Sequence, residues 1–158
     1  MTLEPSRSAS ATPAIPAPAT IVALHVCPGP RSRSVLEPVP RVTAIPGQGL
    51  EGDRHARPGS RRQVLLVEQE VLDSLGLTPG AIREQVTVRG LALAELAAGT
   101  RLRAGTALLE VAGPCDPCER MDEVRPGLKQ ELEGRRGRFV HVVERGTFAV
   151  GDTLRVER

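Results

Sequence analysis

The chain has 158 residues, 40% of them apolar and 25% charged, with a net charge of +2. That length suits one domain with a real core, and so small a charge excludes non-specific binding to DNA or to an acidic membrane surface. No run of about 18 apolar residues is present, so no membrane span is expected.

Residues 1–19 are rich in Ala, Pro, Ser and Thr and lack the apolar stretch of a secretory signal. They predict a disordered leader ahead of a domain over residues 20–158, in a cytoplasmic protein. Thr20 to Val26 reads as a first strand, ended by Cys27-Pro-Gly-Pro30. Between Arg31 and Pro46 the prolines allow only a short edge strand, at Val42 to Ile45. A glycine-rich loop, Gly47 to His55, follows and continues through Arg57-Pro-Gly-Ser-Arg-Arg62. Gln63 to Val67 reads as a buried strand and Glu68 to Leu75 as a short helix stopped by Gly76. Glu84 to Arg89 alternates like a half-buried strand. Thr100 to Arg103 and Thr106 to Val111 form a hairpin at Ala104-Gly105. Glu119 to Glu133 reads as a helix that starts or kinks at Pro126. Phe139 to Val143 and Thr147 to Val150 predict a second hairpin, and Thr153 to Val156 a last strand. Strands and helices do not alternate regularly, which predicts a mainly β fold, an antiparallel barrel or sandwich with a few short helices.

The segment Gly113-Pro-Cys115-Asp-Pro-Cys118-Glu-Arg-Met121 carries the clearest chemical signal. Its prolines oppose a regular helix or a central strand, so it reads as a stiff loop holding sulfur. Cys118 and Cys115 are the candidate reactive thiols, with Arg120 and a helix start just beyond them. The alternative is that both are small buried hydrophobes. Three cysteines, an odd number, fit free thiols in a reducing compartment better than a disulfide framework. A second alternative is a Cys3His zinc site using His25 and Cys27, one strand face, with Cys115 and Cys118. A third makes Cys115 and Cys118 a redox couple. In the glycine loop, Asp53 and His55 are two residues apart and could sit at an anion site, although an ordinary polar loop explains the same residues. His141 reads as an ordinary strand histidine, and Gly151-Asp152 as a turn. All basic residues except Lys129 are arginine, whose planar fork suits carboxylate and phosphate, and a compositional bias explains that excess equally well. With Phe139 and Phe148 as the only rings besides the histidines, stacking platforms for nucleic acid are missing.

In order along the chain come Gly49-Leu-Glu-Gly-Asp-Arg-His55, Arg62-Gln-Val-Leu-Leu66 and Glu84-Gln-Val-Thr-Val-Arg-Gly90. Gly99-Thr-Arg-Leu-Arg-Ala-Gly105, Leu109-Glu-Val111, Pro117-Cys118 and Gly146-Thr-Phe-Ala-Val-Gly-Asp152 follow. The series, from about Thr20 to Val156, resembles the MOSC family, which ends eukaryotic molybdenum-cofactor sulfurases and also occurs as a free-standing bacterial domain. The resemblance implies a MOSC-type β-barrel whose characteristic cysteine, matched by Cys118, carries sulfur or ligates molybdenum. Cys115 becomes an auxiliary thiol, able to resolve a persulfide or add a ligand. Asp53, Arg54 and His55 fall in the loop expected near the cysteine and, with Arg62 and Gln85, are the implied residues for the molybdenum cofactor. Pyridoxal phosphate is expected on a partner rather than on this chain. The implied partner is a cysteine desulfurase or a molybdoenzyme, and a homodimer is left open. Gln85 stands where many members carry Asn, and the amino-terminal domain of larger relatives is missing. A complete molybdenum oxidoreductase is therefore not expected of this chain alone.

Overall fold

A computed structural model describes residues 16–29 and 35–157, and in it the predicted strands close into a barrel. Strands β1 (Ala19–Val26), β2 (Glu37–Pro38), β3 (Arg41–Ile45) and β4 (Gly49–Leu50) come first. Next are β5 (Val64–Glu68), helix α1 (Gln69–Ser74), β6 (Val86–Arg89), β7 (Arg101–Ala104) and β8 (Ala107–Pro114). Helices α2 (Arg120–Val124) and α3 (Leu128–Glu131) precede β9 (Arg138–Glu144), β10 (Gly146–Ala149) and β11 (Thr153–Glu157). The barrel runs β11-β7-β8-β9-β5-β6-β1 and closes through the pairing of β1 with β11. Its pairs are antiparallel except β5 with β6, which are parallel and joined through α1, as a parallel pair requires a crossover. The expected mainly β barrel with short helices is thus the fold.

Leu24, Val64, Leu66, Val88, Leu102, Leu109 and Val140 are among the side chains of the main core. The other face of β5, Leu65 and Val67, packs with Leu72, Ile82, Met121, Leu128 and Leu132 in a second cluster. Strand β5 is therefore apolar on both faces, which explains its uninterrupted Val-Leu-Leu-Val run. Cys115 belongs to this second cluster.

Several expectations are corrected. The residues from Glu84 to Val88 are all buried, because β6 lies inside the barrel wall between β5 and β1; it is not half-buried. Strand β3 is the middle strand of a separate sheet, β10-β3-β4, with Pro40 and Pro46 just outside it, where they remove no ladder hydrogen bond. The predicted second hairpin does not form, since β10 pairs with β3 and β9 pairs with β8 and β5. At Gly146 the chain passes the β7–β8 turn so closely that a Cβ would lie 2.3 Å from Ala107 N. The helix over 119–133 is two helices. Arg125, held extended at φ −161 by the following proline, and left-handed Gly127 separate them. The predicted leader lies outside the described residues up to residue 15, as does Arg31 to Ser34, and Ala19 already opens β1. Among the described residues no helix is long and apolar enough to cross a membrane.

Candidate functional site

The antiparallel pairing of β5 with β9 sets Leu65 beside Phe139, and β8 ends next to the start of β9, where Pro114 pairs with Arg138. The loops that flank these strands enclose a cavity of about 1330 Å³. Arg54, His55, Arg57, Arg61 and Arg62 reach it from the long loop before β5, Arg83 from the turn before β6, and Arg120 from the start of α2. Arg136 reaches it from the segment before β9, and Cys115, Asp116 and Cys118 line the same wall. Asp116 is its one carboxylate among the described residues.

The two thiols differ. Cys118 is exposed and Cys115 is buried, 6% accessible. The Cys115 N–H donates to Gly137 O at 3.2 Å, and Cys118 O accepts from Met121 N–H at 2.9 Å, so the loop is pinned at both ends. Arg136 Nη1 donates to Cys115 Sγ at 3.0 Å and to Asp116 O at 3.2 Å, and its Nη2 donates to Ile82 O at 3.2 Å. Burial pushes the Cys115 thiol up, while Arg136 and then Arg62 pull it back. The reading of both cysteines as buried hydrophobes therefore describes Cys115 alone.

Asp53 is buried and lies behind the cavity wall. Its Oδ1 accepts from Cys27 N–H at 2.8 Å, and its Oδ2 from His55 N–H at 3.2 Å and Gln85 Nε2 at 3.3 Å. His55 Nδ1 sits 3.0 Å from the same oxygen. Since an ionised carboxylate only accepts, Nδ1 carries the ring proton. Burial pushes the Asp53 carboxyl up, but His55, the Cys27 N–H and Gln85 outweigh it and hold it below the usual aspartate value. Gln85 Oε1 accepts from Leu65 N–H at 2.9 Å, so the Gln85 side chain is spent inside the wall. Of the sequence-predicted residues, Arg54, His55, Arg62, Cys115 and Cys118 line the cavity, and Asp53 and Gln85 support it.

Arg136, Arg83 and Glu84 were not singled out by sequence reasoning. The Arg135-Arg136 pair was a visible signal, but nothing local says which of the two is buried. Arg83 has φ +68, a left-handed conformation that costs a residue with a Cβ about 1–2 kcal/mol; such strain is tolerated where surrounding structure over-determines it. Burial, then the charges of Arg120, Arg54 and Arg136, hold the Arg83 guanidinium below its usual value, with Cys27 opposing them. Arg54 Nε and Arg136 Nε are buried without a hydrogen-bond partner, each at a cost of about 1–3 kcal/mol. Crowded like charges and orphaned donors both favour an anionic ligand.

Glu84 is fully buried and neither carboxylate oxygen has a well-formed hydrogen bond. Burial raises its pKa from 4.5 to about 7, against the nearby backbone of Glu84, Gly80 and Ile82 and the charge of Arg136. The folded chain then holds a proton that the unfolded chain releases, and stability falls as pH rises from about 4.5 to about 7. That shift is worth about 3 kcal/mol. Glu84→Gln is expected to flatten the slope, gaining about 2–3 kcal/mol over wild type between about pH 5 and about pH 8 in urea unfolding. An unchanged slope contradicts the assignment. His25, whose burial lowers its pKa, contributes the opposite slope below 6.5 in both proteins and cancels in the comparison.

The four-ligand zinc site is not assembled. No three His, Cys, Asp or Glu side chains are grouped to hold a metal among the described residues. His25 packs against Gly80, where a Cβ would lie 2.9 Å from its Nε2, and Cys27 is tied by its backbone to Asp53 and Arg54. His141 is half-buried, its Nε2 unpartnered, and Asp152 closes its turn by accepting from Ala149 N–H at 2.8 Å.

A family model described as the MOSC domain matches residues 52–155. The YuaD protein of Bacillus subtilis has a similar structure: TM-score 0.76 at 22% identity, over 89% of this chain and 96% of that one. YiiM of Geobacillus stearothermophilus matches with TM-score 0.70 at 25% identity, over 89% and 76%. YiiM of Escherichia coli matches with TM-score 0.66 at 20% identity, over 92% and 71%. No curated protein sequence matches the chain.

Proposed function

Since the chain belongs to the MOSC domain family, we propose that it is a sulfur-accepting domain of the molybdenum-cofactor sulfurase type, with Cys118 as the accepting thiol. The observation that carries this reading is an exposed cysteine on the wall of a cavity lined by arginines, two of them with orphaned buried donors. A thiolate accepts sulfane sulfur and also suits a transition metal. The Cys118 thiolate attacks the outer sulfur of a persulfide on a pyridoxal-phosphate cysteine desulfurase. The donor's S–S bond breaks, its cysteine leaves as a thiolate, and Cys118 carries the –S–SH group.

The residues present also fit a phosphate-bearing pterin cofactor. Arg54 and Arg62 would hold its phosphate, Asp53 and Gln85 would keep His55 and the wall in place, and Cys118 would face the metal. When bound, that group supplies a transition-metal centre for which a thiolate is a ligand. The chain's own contribution is to hold charge, orient the anion and present the thiol.

Transfer of labelled sulfur from a loaded desulfurase tests the reading. Cys118→Ser is expected to accept none, and Arg54→Met with Arg62→Met to slow acceptance about tenfold by weakening the positive field at the thiol. Labelling of Cys118→Ser at the wild-type level would sink the proposal.

A further inference from the structure

The accepting step leaves the buried cluster of Cys115, Arg136 and Glu84 without a task. Arg136 is nine-tenths buried, its Nε has no partner, and its Nη1 points at Cys115 Sγ from 3.0 Å. A guanidinium taken out of water needs negative charge beside it. Two acidic groups feel its charge, the Cys115 thiol that it touches and the Glu84 carboxyl. Burial disfavours ionising either, and one negative charge neutralises the cluster, so a proton held by Glu84 leaves the guanidinium to the sulfur. Arg62 also favours charge on Cys115, and Cys118 and Asp116 oppose it. Cys118 follows three residues on and lines the same cavity as Cys115. The outer thiol is open to a donor and the inner one is shielded by the second apolar cluster.

Resting on the sulfur-accepting reading, we propose that Cys115, held by Arg136, is a resolving thiol that discharges sulfur from Cys118 as hydrosulfide. The Cys115 thiol gives its proton to the outer sulfur of the Cys118 persulfide anion. Its sulfur then attacks Cys118 Sγ, a Cys115–Cys118 disulfide forms, and the persulfide S–S bond breaks. The electron pair of that bond leaves with HS⁻, so the sulfane sulfur is reduced and the two cysteine sulfurs are oxidised. A dithiol or low-molecular-weight thiol supplies the two electrons that reopen the disulfide. Arg136 is a positioning residue in this step, favouring the attacking thiolate.

The test uses the full reduced chain loaded with inorganic polysulfide, freed of excess reagent, and followed by hydrosulfide release and non-reducing peptide mapping. Wild type is expected to release one hydrosulfide per loaded chain and to show the Cys115–Cys118 disulfide. Cys115→Ser should keep its persulfide, with release slowed at least about tenfold. Arg136→Met should slow release comparably and shift its pH profile upward, while Arg136→Lys restores much of both, a rescue that mere loss of packing would not produce. Release from Cys115→Ser at the wild-type rate, or wild-type release without the disulfide, overturns the proposal and leaves the accepting role of Cys118 standing. A Cys115→Ser chain that never carries a persulfide on Cys118 overturns both.

Discussion

Asp53→Ala should lower the unfolding free energy by about 3 kcal/mol at neutral pH, from the buried partners it leaves unpaired. Asp53 gathers the Cys27 N–H, the His55 N–H, His55 Nδ1 and Gln85 Nε2 around one buried carboxylate. Removing it strands the Cys27 N–H and half of the Gln85 amide in the wall, and frees the His55 ring. The same group sets a pH signature. Its carboxyl is held below 3.8 in the folded chain, so its stabilisation is present above that value and is lost as pH falls through the folded pKa. The difference between wild type and Asp53→Ala in urea unfolding should therefore shrink in strong acid. A loss below about 1 kcal/mol at neutral pH would mean that the network does not hold the site together.

Gly137→Ala is the second large effect. Gly137 has φ +111, and a Cβ there would lie 2.0 Å from Leu66 O and 3.1 Å from Val67 Cγ2. The first contact is with backbone in β5, which pairs Leu66 with Arg138 of β9, so it cannot be relieved by a side-chain rotation. Overpacking and the positive φ together predict a loss of about 2–5 kcal/mol. The damage reaches the cavity, because Gly137 O accepts from the Cys115 N–H and Arg136 is the preceding residue. Thermal unfolding checks the stability, and the rate of Cys115 alkylation checks the site; a variant with wild-type values in both contradicts the close approach.

Much of the barrel was legible because its signals are local. The apolar run of β5, the helix stop at Gly76 and the Gly105 turn each say what they become within a few residues. Strand β10 was misassigned because Arg145-Gly146 looks like a hairpin turn. Only the approach of Gly146 to Ala107, far away in sequence, sends the chain to β3 instead. Pro126 announced an interruption, but the extended Arg125 and left-handed Gly127 that make it a full break depend on the loop's path.

The site was legible in the same uneven way. The Cys-x-x-Cys spacing marked the sulfur loop, yet spacing carries no information about which thiol is exposed; the place of Cys115 in the buried cluster that includes Ile82 and Met121 decides that. Asp53 and His55 were visible as a pair two residues apart. The burial of Arg136 and Glu84 was not, since a charged side chain in a sequence gives no sign of what covers it. The long-range partners of Arg136 come from the turn before β6, at Ile82, and from the cysteine loop, at Cys115 and Asp116.

The most direct test of the central claim is to map the added sulfur on the Cys115→Ser protein, which cannot discharge it, after incubation with a cysteine desulfurase and cysteine, by alkylation and peptide mass spectrometry. The account predicts one extra sulfur atom on the peptide carrying Cys118. Sulfur found on Cys27, or no added sulfur on either remaining cysteine, would contradict it.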